Sequence, residues 1–144
     1  MKIIAYGSLQ NKASLEATLG RPVWYEVITI EGYQKVFNAP FGDYAFLNLH
    51  ENQGSSFNCL YFEIESSELT KFAEREAGSN LIEIMPGYWA FVWPTVYCRA
   101  LPVLQSYISI CEIAARQNNL DFWEGTVQPK KVINDKDKTL YKAV

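Results

Sequence analysis

The sequence is poor in the side chains that most often announce a chemistry. Of its 144 residues one is a histidine, His50, and three are cysteines, Cys59, Cys98 and Cys111. The cysteines are odd in number, far apart and without a C-x-x-C spacing. Neither a disulfide framework nor a zinc site is therefore expected, and all three read as buried thiols. A lone histidine leaves little room for a Ser-His or Cys-His nucleophile pair. Positive charge is not in excess either: the net charge is −3 and the pI near 5.2, whereas a nucleic-acid surface needs clustered cations. No stretch approaches the roughly 18 apolar residues of a membrane span, and Met1-Lys2-Ile3-Ile4-Ala5-Tyr6 is too short an apolar run for a signal segment. The expectation is a cytoplasmic protein with neither a nucleic-acid nor a membrane partner, while the oligomeric state stays open.

What is present is core-forming material. The chain is 49% hydrophobic and 20% charged, enough for one domain with a real interior and without a composition shift that would split it. That domain is expected over residues 1–127, followed by a polar tail over 128–144 in which lysines alternate with Asp135 and Asp137.

In chain order, Lys2 to Tyr6 reads as a strand, Gly7-Ser8 as a turn, and Asn11 to Leu19 as a helix stopped by Gly20. Such a turn leaves backbone N–H groups free to meet an anion or developing negative charge, although Gly7 also suits a plain connection that needs permissive dihedrals. Strands follow over Val23 to Ile30, Tyr33 to Asn38, Tyr44 to Leu49 and Phe57 to Ile64, separated by turn signals at Glu31-Gly32, Pro40 to Asp43 and Glu51 to Ser56. Leu81 to Met85 and Tyr88 to Tyr97 complete the set, the last apolar on both faces and bent at Pro94. Ser106 to Gln117 has strong helical spacing through Tyr107, Ile110, Cys111 and Ala114. The pattern predicts an α+β fold: a mixed, mainly antiparallel sheet, curled or closed into a small β-barrel, with flanking helices.

The stretch Glu65 to Gly78 reads as a short helix capped by Ser66 or Ser67, with Glu68 in its first turn and Gly78 as its stop. With Leu69 set at zero and about 100° per residue, Phe72 falls near 300°, Ala73 near 40° and Glu76 near 340°. Glu76 therefore lies on the apolar stripe, while Glu68, Lys71, Glu74 and Arg75 fall outside it. A carboxylate there either pairs with an arginine such as Arg99, or escapes at the helix end, or serves as a general acid/base whose pKa burial raises.

Ile4-Ala5-Tyr6-Gly7-Ser8-Leu9 resembles the opening motif of the γ-glutamylcyclotransferase-like family. Further segments fall in the family's order: Gly32-Tyr33 to Phe37, Phe57 to Phe62, Phe72 to Ala77, and Ser106-Tyr107 to Ala114-Ala115. The resemblance implies a small mixed barrel and a reaction in which a γ-glutamyl amine or γ-glutamyl amino acid cyclises to 5-oxoproline and releases its amine. By position it implies Glu76 as the catalytic acid/base, Tyr6, Gly7, Ser8 and Leu9 as the substrate loop, Tyr107 beside the pocket, and no metal or cofactor. Ala73, Cys59, Ala77 and Leu81-Ile82 depart from the family pattern, which leaves room for a second expectation: a binding module that kept the pocket and lost turnover. A hydrolase using His50 or a cysteine, and an interaction role for the Trp89 to Trp93 strand, complete the alternatives.

Overall fold

Strand β1 (Lys2–Ala5) is the axis of the molecule. It pairs antiparallel with β3 (Tyr44–Glu63), Lys2 opposite Glu63 and Ala5 opposite Leu60, and parallel with β5 (Tyr88–Val92) on its other side. Strict alternation sends Ile3 and Ala5 into one core and Ile4, with Tyr6 just beyond, into another. The computed structural model describes residues 1–95 and 98–135. Adding β2 (Glu26–Phe41) and β4 (Asn80–Met85), the main sheet runs β2-β3-β1-β5-β4.

Each face of this sheet is covered by one helix. Helix α1 (Lys12–Leu19) begins where the Asn11 side chain accepts a bond from the Ser14 N–H at 3.0 Å and ends at Gly20, whose φ is 73°. It lays Leu15 and Leu19 against Ile3, Phe62 and Phe72. Helix α2 (Gln105–Gln117) lays Tyr107, Ile108 and Cys111 against Ile4, Leu47 and Cys59. The two faces of β5 join these two cores separately, Ala90 and Val92 with α2, Trp89 and Phe91 with α1.

Two expectations change. The four short strands between Val23 and Ile64 are two long ones, because Glu31-Gly32 and the 51–56 stretch are absorbed as irregularities in one hairpin rather than reversing the chain. Pairing slips between Glu31 and Tyr33 and again between Phe37 and Ala39, with Gly32 at φ 81° and Gly54 at φ 89°. The root of the hairpin thus pairs with β1, while residues of its tip line the same cavity as the 6–9 loop.

The barrel is not closed. Strands β2 and β4 are the two edges of the sheet, and among the described residues no ladder joins them. The tip half of β3 meets the chain beyond β5 through a side chain instead: Asn48 Oδ1 accepts from the Trp93 N–H at 2.9 Å, and Asn48 Nδ2 donates to the Trp93 carbonyl at 3.3 Å. Pro94 follows with no N–H to extend such a ladder.

Residues beyond 127 still bond to the elements before them. Strand β7 (Val132–Ile133) pairs parallel with β6 (Val103–Leu104), and Asp135 accepts from the Ser106 N–H at 2.9 Å, placing a carboxylate at the positive end of α2. Leu140-Tyr141, and the Val96-Tyr97 end of the expected last strand, lie outside the described residues.

Candidate active site

The chain leaves β1 through Tyr6, whose ring stays in the α2 core and whose hydroxyl donates to the Phe91 carbonyl at 2.6 Å. Burial first, and the nearby Glu76 carboxylate second, raise its pKa well above the ordinary phenol range. Gly7 has a negative φ of −136°, so left-handed freedom is not its purpose. A Cβ there would stand 3.3 Å from the Tyr107 hydroxyl and 3.5 Å from Leu47 Cδ2, so close approach is. A 3₁₀ turn, Ser8–Gln10, follows, held by the Gln10 N–H on the Gly7 carbonyl at 3.0 Å. Among the described residues the N–H groups of Ser8 and Leu9 donate to no protein acceptor.

The 65–78 stretch is not the α-helix its spacing predicts. It is a 3₁₀ helix over Ser66–Phe72, then turns through Gly78. Its cap is Glu65 rather than Ser66 or Ser67: the Glu65 N–H donates to Glu68 Oε1 at 2.9 Å, and the Arg21 guanidinium grips the same Glu68 carboxylate with two bonds of 2.8 Å. A 3₁₀ step of about 120° does not preserve a projection made at 100° per residue. Ala73 is accordingly exposed and Arg75 turns inward, against expectation. Glu76 keeps its inward direction because the turn is locked locally, the Glu76 N–H on the Phe72 carbonyl at 2.8 Å and the Ser79 hydroxyl on the Glu76 carbonyl at 2.7 Å. Gly78, at φ 93°, lies under the Trp93 indole, where a Cβ would come within 2.1 Å of Cη2.

These pieces enclose one cavity of about 710 Å³, and Tyr6, Gly7, Ser8, Leu9, Glu76 and Tyr107 all line it. The Glu76 side chain retains 21% exposure, and its carboxyl oxygens make no hydrogen bond to protein atoms among the described residues. Burial pushes its pKa up to about 7, opposed by Arg75. Arg75 Nε stands 3.9 Å from Glu76 Oε1, so the cation beside Glu76 is Arg75 and not Arg99. The rest of the guanidinium is committed: Nη1 donates to Ser14 Oγ at 2.6 Å and Thr18 Oγ1 at 3.1 Å, and Nη2 to the Ser8 carbonyl at 3.2 Å. One side chain thus ties α1, the 7–9 loop and the Glu76 turn together.

The other candidate nucleophiles are elsewhere. His50 is exposed and does not line the cavity. Cys59 and Cys111 are buried, which pushes each thiol up to about 12. No group of three His, Cys, Asp or Glu side chains converges among the described residues in a way that could hold a metal ion, and no helix among them is long and apolar enough to cross a membrane.

No family model and no curated protein matches the sequence. Solved structures match the fold. A γ-glutamyl cyclotransferase aligns with a TM-score of 0.71 over 83% of this chain and 80% of its own, at 14% identity. This chain has the γ-glutamyl cyclotransferase-like fold. An uncharacterized protein from Homo sapiens aligns at 15% identity and a TM-score of 0.68, again over 83% of this chain and 80% of its own. YkqA from Bacillus subtilis aligns at 19% and 0.58, over 81% of this chain and 48% of its own. Likeness at this identity carries the architecture, and any chemistry has to be argued from the cavity.

Within the γ-glutamyl cyclotransferase-like fold, the lining residues that sequence reasoning missed include Arg75, Trp93, Phe41 and Phe46. Arg75 was hidden by the α-helical projection. Trp93 read as the end of a core strand, and Phe46 as an ordinary strand residue. Phe41 was the one with a visible signal, a large apolar side chain inside the turn Pro40-Phe41-Gly42-Asp43. Of the departures from the family pattern, Ala77 lines the cavity, Ala73 is exposed, and Cys59 is buried in β3 opposite Ile28.

Proposed function

We propose that this protein cyclises a γ-glutamyl compound to 5-oxoproline and releases the free amine, with Glu76 as the general acid/base. The observation that carries this reading is the Glu76 carboxyl: unbonded, opening on a cavity shared with the 7–9 loop, and poised by burial near pH 7. A carboxyl with a pKa near the working pH accepts and returns a proton with nearly equal ease.

The substrate α-amine is mostly ammonium at neutral pH and must lose a proton before it can attack. Glu76 takes that proton, the α-nitrogen bonds to the γ-carbonyl carbon, and a tetrahedral oxyanion forms. Glu76 passes the proton to the leaving nitrogen and takes the second proton from the ring nitrogen. The bond from that carbon to the leaving nitrogen breaks as the carbonyl re-forms, and the second proton goes to the released amine, which departs as ammonium. Atoms balance without water: one γ-glutamyl amide gives one 5-oxoproline and one amine. The N–H groups of Ser8 and Leu9 can hold the α-carboxylate or the oxyanion, and Tyr107 and Gly7 fix the loop that presents them. Ring closure is intramolecular, so orientation supplies much of the rate.

The test is to incubate the pure protein with a panel of γ-glutamyl amides and amino acids and to measure 5-oxoproline. Turnover is expected, and Glu76→Gln should lower kcat by at least the ~10² to 10⁴ that positioned acid/base catalysis contributes. A Gln variant as active as the wild type would overturn the assignment of Glu76. No 5-oxoproline from any substrate would favour a binding module on the same fold.

A further inference from the structure

The cavity has two chemically different ends. One is built from the turn 71–77 and the 7–9 loop and carries every charged group of the lining: Lys71, Glu74, Arg75 and Glu76. The other is built from the tip of the β2–β3 hairpin and from α2, and presents Pro40, Phe41, Phe46 and Tyr107. Three of these rings form one stack. Phe41 and Phe46 lie 4.3 Å apart at 16°, and Phe46 and Tyr107 4.4 Å apart at 6°. Phe41 is 50% exposed; a large ring held at a hairpin tip and lining a cavity offers planar apolar surface to whatever enters. Gly7, against the Tyr107 hydroxyl, and Ser8, held through its carbonyl by Arg75, place the loop between the two ends.

The γ-glutamyl head brings an ammonium, a carboxylate and the scissile amide, which belong at the charged end with Glu76. The leaving group then has only the aromatic end left to it. A leaving amino acid would carry its own carboxylate there, yet the lining cations both sit at the charged end and are engaged. Lys71 Nζ donates to the Leu19 carbonyl at 2.8 Å, and Arg75 is held by Ser14, Thr18 and Ser8. Moving a carboxylate from water onto phenylalanine and proline without a cation is strongly unfavourable.

Resting on the cyclotransferase reading, we infer that the stack Phe41–Phe46–Tyr107 is the leaving-group subsite, and that it selects an uncharged, planar apolar amine over an amino acid. The favoured substrates are γ-glutamyl arylalkylamides, cleaved at the amide carbon–nitrogen bond with the α-ammonium proton ending on the released amine.

The experiment compares three compounds with the same head: γ-glutamyl benzylamide, γ-glutamyl methylamide and γ-glutamyl-phenylalanine. The first is expected to exceed each of the others in kcat/KM by about tenfold, the scale of one aromatic contact. Phe41→Ala should collapse the benzylamide-to-methylamide ratio toward one, with Phe41→Leu intermediate and circular dichroism unchanged in both. Turnover of γ-glutamyl-phenylalanine equal to or faster than the benzylamide overturns the inference, as does a ratio that neither Phe41→Ala nor Phe46→Ala moves. If none of the three yields 5-oxoproline, the reaction is wrong and the subsite is judged by calorimetry with the same compounds. Benzylamide binding that Phe41→Ala weakens would still support it, and equal or absent binding of all three would sink it.

Discussion

Glu76 is a residue whose stability cost and proposed usefulness have one origin. Its folded pKa, about 7, lies above the ordinary 4.5 because burial disfavours the charged form. The folded state therefore holds the proton more tightly than the unfolded chain. The contribution of this group to stability is greatest below the unfolded pKa and is lost as pH rises from there through the folded pKa, by at most ~3 kcal/mol. Glu76→Gln cannot ionise and escapes that loss. In thermal melts the variant should match the wild type or fall slightly below it at pH 4, and draw level or above it by pH 8, while its activity falls. A variant that loses ground to the wild type as pH rises would mark Glu76 as an ion-pair partner of Arg75 instead. The 3.9 Å separation from Nε, with the other guanidinium donors bonded to Ser14, Thr18 and Ser8, favours the first outcome.

The turn that carries Glu76 is held by fit rather than by propensity. Gly78 needs its positive φ of 93°, and the Trp93 ring occupies the space a Cβ would take. Gly87, in the β4–β5 turn, has a similar φ of 83° with nothing within 4 Å, which makes it the matched control. Gly87→Ala should cost only the left-handed backbone penalty of about 1 kcal/mol. Gly78→Ala adds a clash with the indole, so its melting temperature should fall further and 5-oxoproline formation should fall with it, since Trp93 and Glu76 line the same cavity. Equal losses of stability in the two variants, with activity intact, would show that the turn is not positioned by Trp93.

Across the whole molecule, the segment after α2 closes the core over the β2 edge. The Lys35 N–H donates to the Gly125 carbonyl at 2.7 Å, and the Val127 N–H to the Lys35 carbonyl at 2.8 Å. Between them the Lys35 side chain, 1% exposed, runs inward past the rings of Phe57 and Phe122 and donates to the Phe122 carbonyl at 2.6 Å. Burial lowers its pKa to about 8. For a base depressed in the folded state, the stability it contributes is present in full above the unfolded pKa near 10.5 and is lost as pH falls through the folded value, by at most ~3 kcal/mol. Against Lys35→Met, which removes both the ammonium and its bond, the wild type should therefore gain in melting temperature as pH rises from 7 to 10. A gap between the two that is constant over this range would mean that the amine stays charged in the fold.

The sequence by itself determined the elements whose signals are local or periodic. β1 and α1 followed from a short apolar run, Asn11 and Gly20, α2 from its i, i+3, i+4 spacing, and β5 from apolar residues on both faces, which the two cores on either side of it explain. A carboxylate on an apolar stripe and a glycine turn after a buried strand are each visible in one dimension, but what joined Glu76, the 6–9 loop and Tyr107 in one hypothesis was the family resemblance. Only the tertiary structure decided that Glu31-Gly32 and the 51–56 stretch bend a hairpin instead of ending strands, since a bulge and a turn use the same residues and differ in what pairs beyond them. It alone left the barrel open at Asn48 and Trp93, turned Arg75 inward through a 3₁₀ rather than an α-helical step, and set Phe41 on Phe46 and Tyr107. The Asn48–Trp93 and Arg75–Ser8 contacts among them join residues 45 and 67 positions apart, which no local propensity encodes.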